Sequence, residues 1–142
     1  MLVGRYFLKA HKKNVFTTPE GLLSGQFFLT QGFEKNLLLV NKQDFELLVG
    51  DFGNLSITDP LARLLSRLML GRAVQVYIDN TLQLHIPDYL AELAQLTEKA
   101  ILIGQGRYFE LWSPAFWQEQ ESRLMDTASN SDRFHLYNIN FA

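Results

Sequence analysis

The densest concentration of residues able to do chemistry in this 142-residue chain is Lys9-Ala10-His11-Lys12-Lys13-Asn14. Three ammonium groups, an imidazole and an amide so close together suit one task, gripping an anion such as phosphate. Residues 1–19 carry Arg5, Lys9, Lys12 and Lys13 and no acid, +4, against nine bases and fifteen acids, −6, in the remainder. The net charge of −2 therefore hides a local basic patch. The plainer reading of such a patch is a solvated hairpin tip.

A second polar group comprises Asp79, Gln83 and His85. Asp79 suits an Asx-type turn, its carboxylate accepting backbone N–H groups. Gln83 could hydrogen-bond a base edge or a phosphate but neutralises no charge. His11, Asp79 and His85 would be the one conceivable metal set, and they lack ligand spacing. Gly104-Gln105-Gly106 has neither the third glycine nor the strand-to-helix context of a dinucleotide loop, and reads as a hairpin turn. Trp112, Phe116 and Trp117 recur at core spacing, and Arg63 and Arg67 suit salt bridges on a helix. There is no cysteine, which excludes a disulfide frame, thiol catalysis and a cysteine metal site. No nucleophile–base pair, nucleotide loop or paired carboxylate can be isolated, so the expectation is a non-enzyme with no cofactor and no small-molecule substrate.

Alternation predicts the elements around these residues. Val74, Val76 and Ile78 share one face of a strand, and Leu82, Leu84 and Ile86 one face of the next, so the two segments read as a hairpin ended by Pro87. A helix over Tyr89 to Leu96, a strand at Ala100 to Ile103, another at Tyr108 to Trp112, and a helix opened by Ser113-Pro114 follow. The same order occupies the N-terminal half. Pro19 matches Pro87 at an offset of 68, so His11 corresponds to Asp79 and Val15 to Gln83. Phe27 to Gly32 aligns with Ile101 to Gly106, and Phe45 with Trp117. Such a repeat reads as a duplicated half-domain that cannot bury its sheet alone. Between the copies Asp59 caps a helix with Pro60 at its first position, Leu61, Leu64, Leu65 and Leu68 on one face, and Gly71 at its end.

These expectations divide the chain into residues 1–53, a linking helix at 54–70, a second copy at 71–125, and a polar linker with a C-terminal tail at 126–142. In the tail, Phe134, Leu136, Ile139 and Phe141 suit a bulged strand on a sheet edge, or a loosely lying tail. An apolar content of 47% and an aromatic content of 13% argue for a folded globule. Met1-Leu2-Val3-Gly4 runs directly into a strand and no apolar run nears the ~18–20 residues of a membrane span, so a cytoplasmic protein is expected.

Arg63 to Gly71 leading into Asp79, then Ile86-Pro87, Leu102-Ile103-Gly104-Gln105-Gly106 and Phe109-Glu110-Leu111-Trp112-Ser113, together resemble the MraZ family of bacterial regulators associated with division and cell-wall genes. The resemblance runs over roughly residues 1 to 125. It implies an α+β fold of two pseudo-symmetric AbrB-like swapped-hairpin β-barrel halves decorated by helices. It also implies a ring-shaped homo-oligomer, nucleoid-associated in a bacterial cytoplasm, that binds promoter DNA through the hairpin loop of each half. The candidate DNA-binding residues are then Arg5, Lys9, His11, Lys12, Lys13 and Asn14 in copy one, and Asp79 and Gln83 in copy two. The family signature Asp-x-x-x-Arg is altered in both: Gln83 follows Asp79, and His11 and Val15 replace the first pair outright. Those losses motivate a second reading, an oligomeric scaffold that kept the ring and lost specific DNA binding.

Overall fold

The computed structural model describes residues 2–139. Its strands are β1 (Leu2–Lys12), β2 (Val15–Thr17), β3 (Gly25–Gln31), β4 (Leu37–Asn41), β5 (Val74–Ile78), β6 (Gln83–His85), β7 (Lys99–Gly106) and β8 (Tyr108–Trp112). The helices are α1 (Lys42–Gly53), α2 (Pro60–Met69), α3 (Asp88–Leu93), α4 (Pro114–Leu124) and α5 (Thr127–Phe134). The strands form one antiparallel sheet in the order β5-β3-β4-β8-β7-β1-β2-β6, curled into a nearly closed barrel. Alternate side chains point inward, and Leu8, Phe16, Leu29, Leu39, Leu84, Leu102 and Phe109 form its core. The fold is α+β, as the resemblance implies.

The halves exchange strands. β1 of copy one pairs with β7 of copy two (Tyr6 opposite Leu102), and β5 of copy two pairs with β3 of copy one (Val74 opposite Leu29). Phe16 faces Leu84, its own counterpart at an offset of 68, and Leu38 faces Glu110, its counterpart at 72. A residue opposite its own repeat partner in an antiparallel ladder lies on a local two-fold axis, so these pairs mark the pseudo-dyad. The helices obey it too. Asn41 caps α1 by accepting from the Asp44 amide at 2.8 Å, and Ser113 caps α4 by accepting from the Phe116 amide at 3.2 Å. Phe45 stacks on Phe28 with ring centroids 4.3 Å apart, and Trp117 meets Trp112 edge-on at 5.8 Å, so each helix plugs the outside of its half.

Several expectations need correction. β5 and β6 are not a hairpin: each pairs with a copy-one strand, and together they form the barrel's seam. The turn between them is closed by the Asp79 side chain with Leu82 at φ 63°, and this local closure sends the two strands to different partners. Gly104 is not in a turn but inside β7, opposite Gly4, where a Cβ would lie 2.6 Å from the Val3 nitrogen. Glycine is there because β1 approaches closely. Phe27 and Leu29 share the interior with Ala100 and Leu102, so copy one matches copy two at an offset of 73 in this strand, one less than the aligned motifs suggest. A slip of one would turn every side chain to the other face.

In α2 Ala62, Leu65 and Met69 pack inward, while Leu61 (71% exposed) and Leu64 (60%) face outward, so the expected leucine face is split between core and surface. Thr127–Phe134 is an α-helix and His135–Tyr137 a 3-10 turn, rather than a linker or a strand. Asp126 caps α5 by accepting from the Ser129 amide, and the Asn130 side-chain amide donates to the Arg123 carbonyl at 2.6 Å. Small polar residues serve as caps as readily as they serve as linkers. The expected strand residue Phe141, and Met1, lie outside the described residues.

Candidate nucleic-acid interface

The basic loop joins β1 to β2. Leu8 and Ala10 point into the barrel, which leaves Lys9 outward, and the chain turns at Lys13 and Asn14. Asn14 adopts φ 61°, a left-handed conformation that asparagine tolerates better than most residues. Its carbonyl accepts from the Ile86 amide at 2.9 Å, and its side-chain amide donates to Asp88. The second-copy loop repeats this geometry. Leu82, the counterpart of Asn14, has φ 63°, and its carbonyl accepts from the Thr18 amide at 2.8 Å. The backbone device survives in both copies although the side chains differ.

Lys9, His11, Lys12 and Lys13 are exposed, and among the described residues none of the lysines has a carboxylate within ion-pair distance. They border a depression whose other wall is Leu96, Thr97 and Glu98. Two acids, Glu98 and Asp88, therefore lie beside the patch. The next residue, Lys99, sits directly opposite Lys9 across the β1–β7 ladder. No motif flagged Lys99, because only the register brings it there. Arg5 does not join the patch. It lies four residues back along β1, roughly 13 Å at strand rise, and its guanidinium bonds Glu121 of α4 at 2.8 Å.

Asp79 and Gln83 lie at the other end of the short β2–β6 pair, beside Thr18. The Asp79 carboxylate accepts from both the amide (2.9 Å) and the hydroxyl (2.6 Å) of Thr81, the Asx-type turn that the sequence suggests. Gln83 donates from Nε2 to the Thr81 carbonyl at 2.7 Å, and its buried Oε1 has no partner. Val15 is 5% exposed and can reach no ligand. Among the described residues no three ligand-type side chains are placed to hold a metal ion, and no helix is long and apolar enough to cross a membrane.

The Thr81 hydroxyl, and then its amide, hold the Asp79 carboxyl below its usual value of 3.8. A carboxyl depressed on folding adds stability that is present above its unfolded pKa and is lost as pH falls through the lower folded value. We expect Asp79 to titrate below 3.8 by NMR, and Thr81→Val to move that midpoint upward. A midpoint at or above 3.8 in the native protein would contradict this account of the turn.

A sequence profile described as "MraZ protein, putative antitoxin-like" matches residues 69–136. The chain is 32% identical over 122 residues to the transcriptional regulator MraZ of Dictyoglomus thermophilum, covering 84% of each protein. It is 33% identical over 132 residues to that of Dictyoglomus turgidum, covering 89% of this chain and 90% of that one. Against that of Shewanella amazonensis it is 37% identical over 117 residues, covering 80% and 77%. The chain belongs to the MraZ family. Its swapped barrel is the MraZ fold, and the relatives are named as transcriptional regulators.

Proposed function

We propose that this chain is a MraZ-like transcriptional regulator of division and cell-wall genes, nucleoid-associated in a bacterial cytoplasm, which binds promoter DNA as a ring of identical subunits. The observation that carries the DNA reading is the basic face of the β1–β2 loop, where Lys9, Lys12 and Lys13 are exposed and bound to no carboxylate among the described residues. Phosphate contacts of this kind hold and orient a duplex without reading its sequence. His11 and Asn14 complete the copy-one surface, Arg5 stands apart from it on β1, paired with Glu121 of α4, and Asp79 and Gln83 form a weaker copy-two surface. The ring reading draws on exposed apolar side chains, Ile57, Leu61 and Leu64 of the linker and α2 and Leu47 of α1. A patch that meets a different surface of the next copy closes into a ring when the rotation allows. Each loop then recurs around one face, and weak contacts add through effective concentration.

The test is a mobility-shift comparison of duplex from the protein's own upstream region with a scrambled duplex. Preferential retardation of the first supports the regulator. A specific observation favours the second reading, a scaffold that has lost DNA: Val15 is buried and Gln83 is turned onto its own loop. Absence of any shift by the assembled protein would establish that reading instead.

A further inference from the structure

Lys9 and Lys99 face each other directly in the β1–β7 ladder. The neighbouring inward pair is Leu8 opposite Ala100, both in the core, so both lysines leave the sheet on its outer side. The Ala10 amide donates to the Glu98 carbonyl at 2.8 Å, which makes Lys9 and Lys99 a non-hydrogen-bonded pair, the closer of the two kinds in an antiparallel ladder. Like charges directly opposite one another destabilise a sheet. Neither ammonium is relieved by a carboxylate among the described residues; the nearest acid in sequence, Glu98, forms no ion pair with either. The row continues outward through Thr17, opposite Lys9, and Gln83, opposite Thr17. It thus crosses four strands, roughly 14 Å at sheet spacing, with two cations at one end and two neutral hydrogen-bonding groups at the other.

We infer that Lys9 and Lys99 together hold one phosphate group, bridging the strands beside the basic loop. This rests on the DNA reading above and adds a residue outside the loop to it. An anion between the two ammonium groups removes their repulsion, so ligand and fold gain from the same contact. In the assembled protein bound to a duplex the phosphate is one of the backbone. In the free protein the same site takes inorganic phosphate.

The experiment uses the full chain, Lys99→Gln, and Lys42→Gln on α1 as a charge-matched control. In phosphate-free buffer Lys99→Gln should melt higher than wild type, because one repelling charge is gone. Its binding to duplex DNA should be weaker, with the slope of log K against log salt reduced by roughly 0.9 for each contacting subunit. Added inorganic phosphate should raise the melting temperature of wild type and of Lys42→Gln, and raise that of Lys99→Gln less. Duplex binding by Lys99→Gln with wild-type affinity and slope, together with an equal phosphate response, would overturn the inference while leaving the regulator intact. Failure of wild type to bind duplex, with the difference in phosphate response preserved, would sink the DNA reading but keep the site as one for free phosphate. No duplex binding and no difference in phosphate response would overturn both.

Discussion

Phe16→Ala is expected to lower folding stability by about 3–5 kcal/mol, the usual cost of emptying a packed aromatic site. Phe16 is 0% exposed and lies on the pseudo-dyad, facing Leu84, which is also 0% exposed. β2 and β6 have three residues each, so this pair is the centre of the only ladder joining them. β6 is the last strand of the sheet, and its other neighbour in the barrel is the seam with β5. Loss of the Phe16 ring therefore removes core packing and loosens the one ladder that keeps β6 in the barrel. Urea denaturation followed by tryptophan emission at a fixed subunit concentration measures the effect, with Trp112 and Trp117 as reporters. Fixed concentration matters because any self-association would add to apparent stability. A loss below about 1 kcal/mol, the middle of the range for ordinary substitutions, would mean that the dyad pair is not the keystone of the barrel.

The second large effect concerns assembly. If the subunits form the proposed ring, Leu61→Glu/Leu64→Glu should convert it to folded monomers. Both leucines project from α2 at 71% and 60% exposure, so the substitutions touch no core contact within the subunit. Surface changes of this kind usually alter stability by no more than about 0.5 kcal/mol. An interface core rejects charge, however, and two carboxylates per subunit would be buried there unpaired. Duplex affinity should fall by roughly 10²–10⁴ as multivalency is lost, with the basic loops untouched. Sedimentation velocity and thermal melting separate the two effects. Retention of the wild-type sedimentation coefficient would place the subunit interface elsewhere. A monomer that no longer melts cooperatively would mean that α2 stabilises the subunit itself.

What could be read from the sequence was mostly local. Asp59 and Ser113 announced their helices because capping depends on a few neighbouring residues, and both side chains accept the expected amides. The alternation of β5 and β6 was equally plain, yet their partners were not, because a strand's own pattern says which face is buried and not which strand lies beside it. The same limit hid Lys99, which meets Lys9 through a ladder joining distant parts of the chain. Gly104 reads as a turn for a related reason: the pattern marks a special backbone site, but only the neighbouring strand shows whether it is a turn or a close approach. The repeat itself was legible, and with it the correspondence of Asn14 with Leu82 that the left-handed backbone of both residues displays. Its register in β3 was not, since Phe27 and Phe28 are both apolar and one faces the interior while the other packs under α1.

The most direct test of the central claim is fluorescence anisotropy on the assembled protein. Wild type and Lys12→Glu/Lys13→Glu would be titrated with duplex from the upstream region across a salt series. The double reversal changes a subunit's charge by −4 at the loop tip, where both lysines are exposed. The account predicts that wild type binds with an affinity falling steeply as salt rises, and that the double variant, still assembled, binds at least tenfold more weakly with a shallower slope. Equal affinity and equal slope in the two proteins would contradict it, because DNA would then be held by some surface other than the β1–β2 loop.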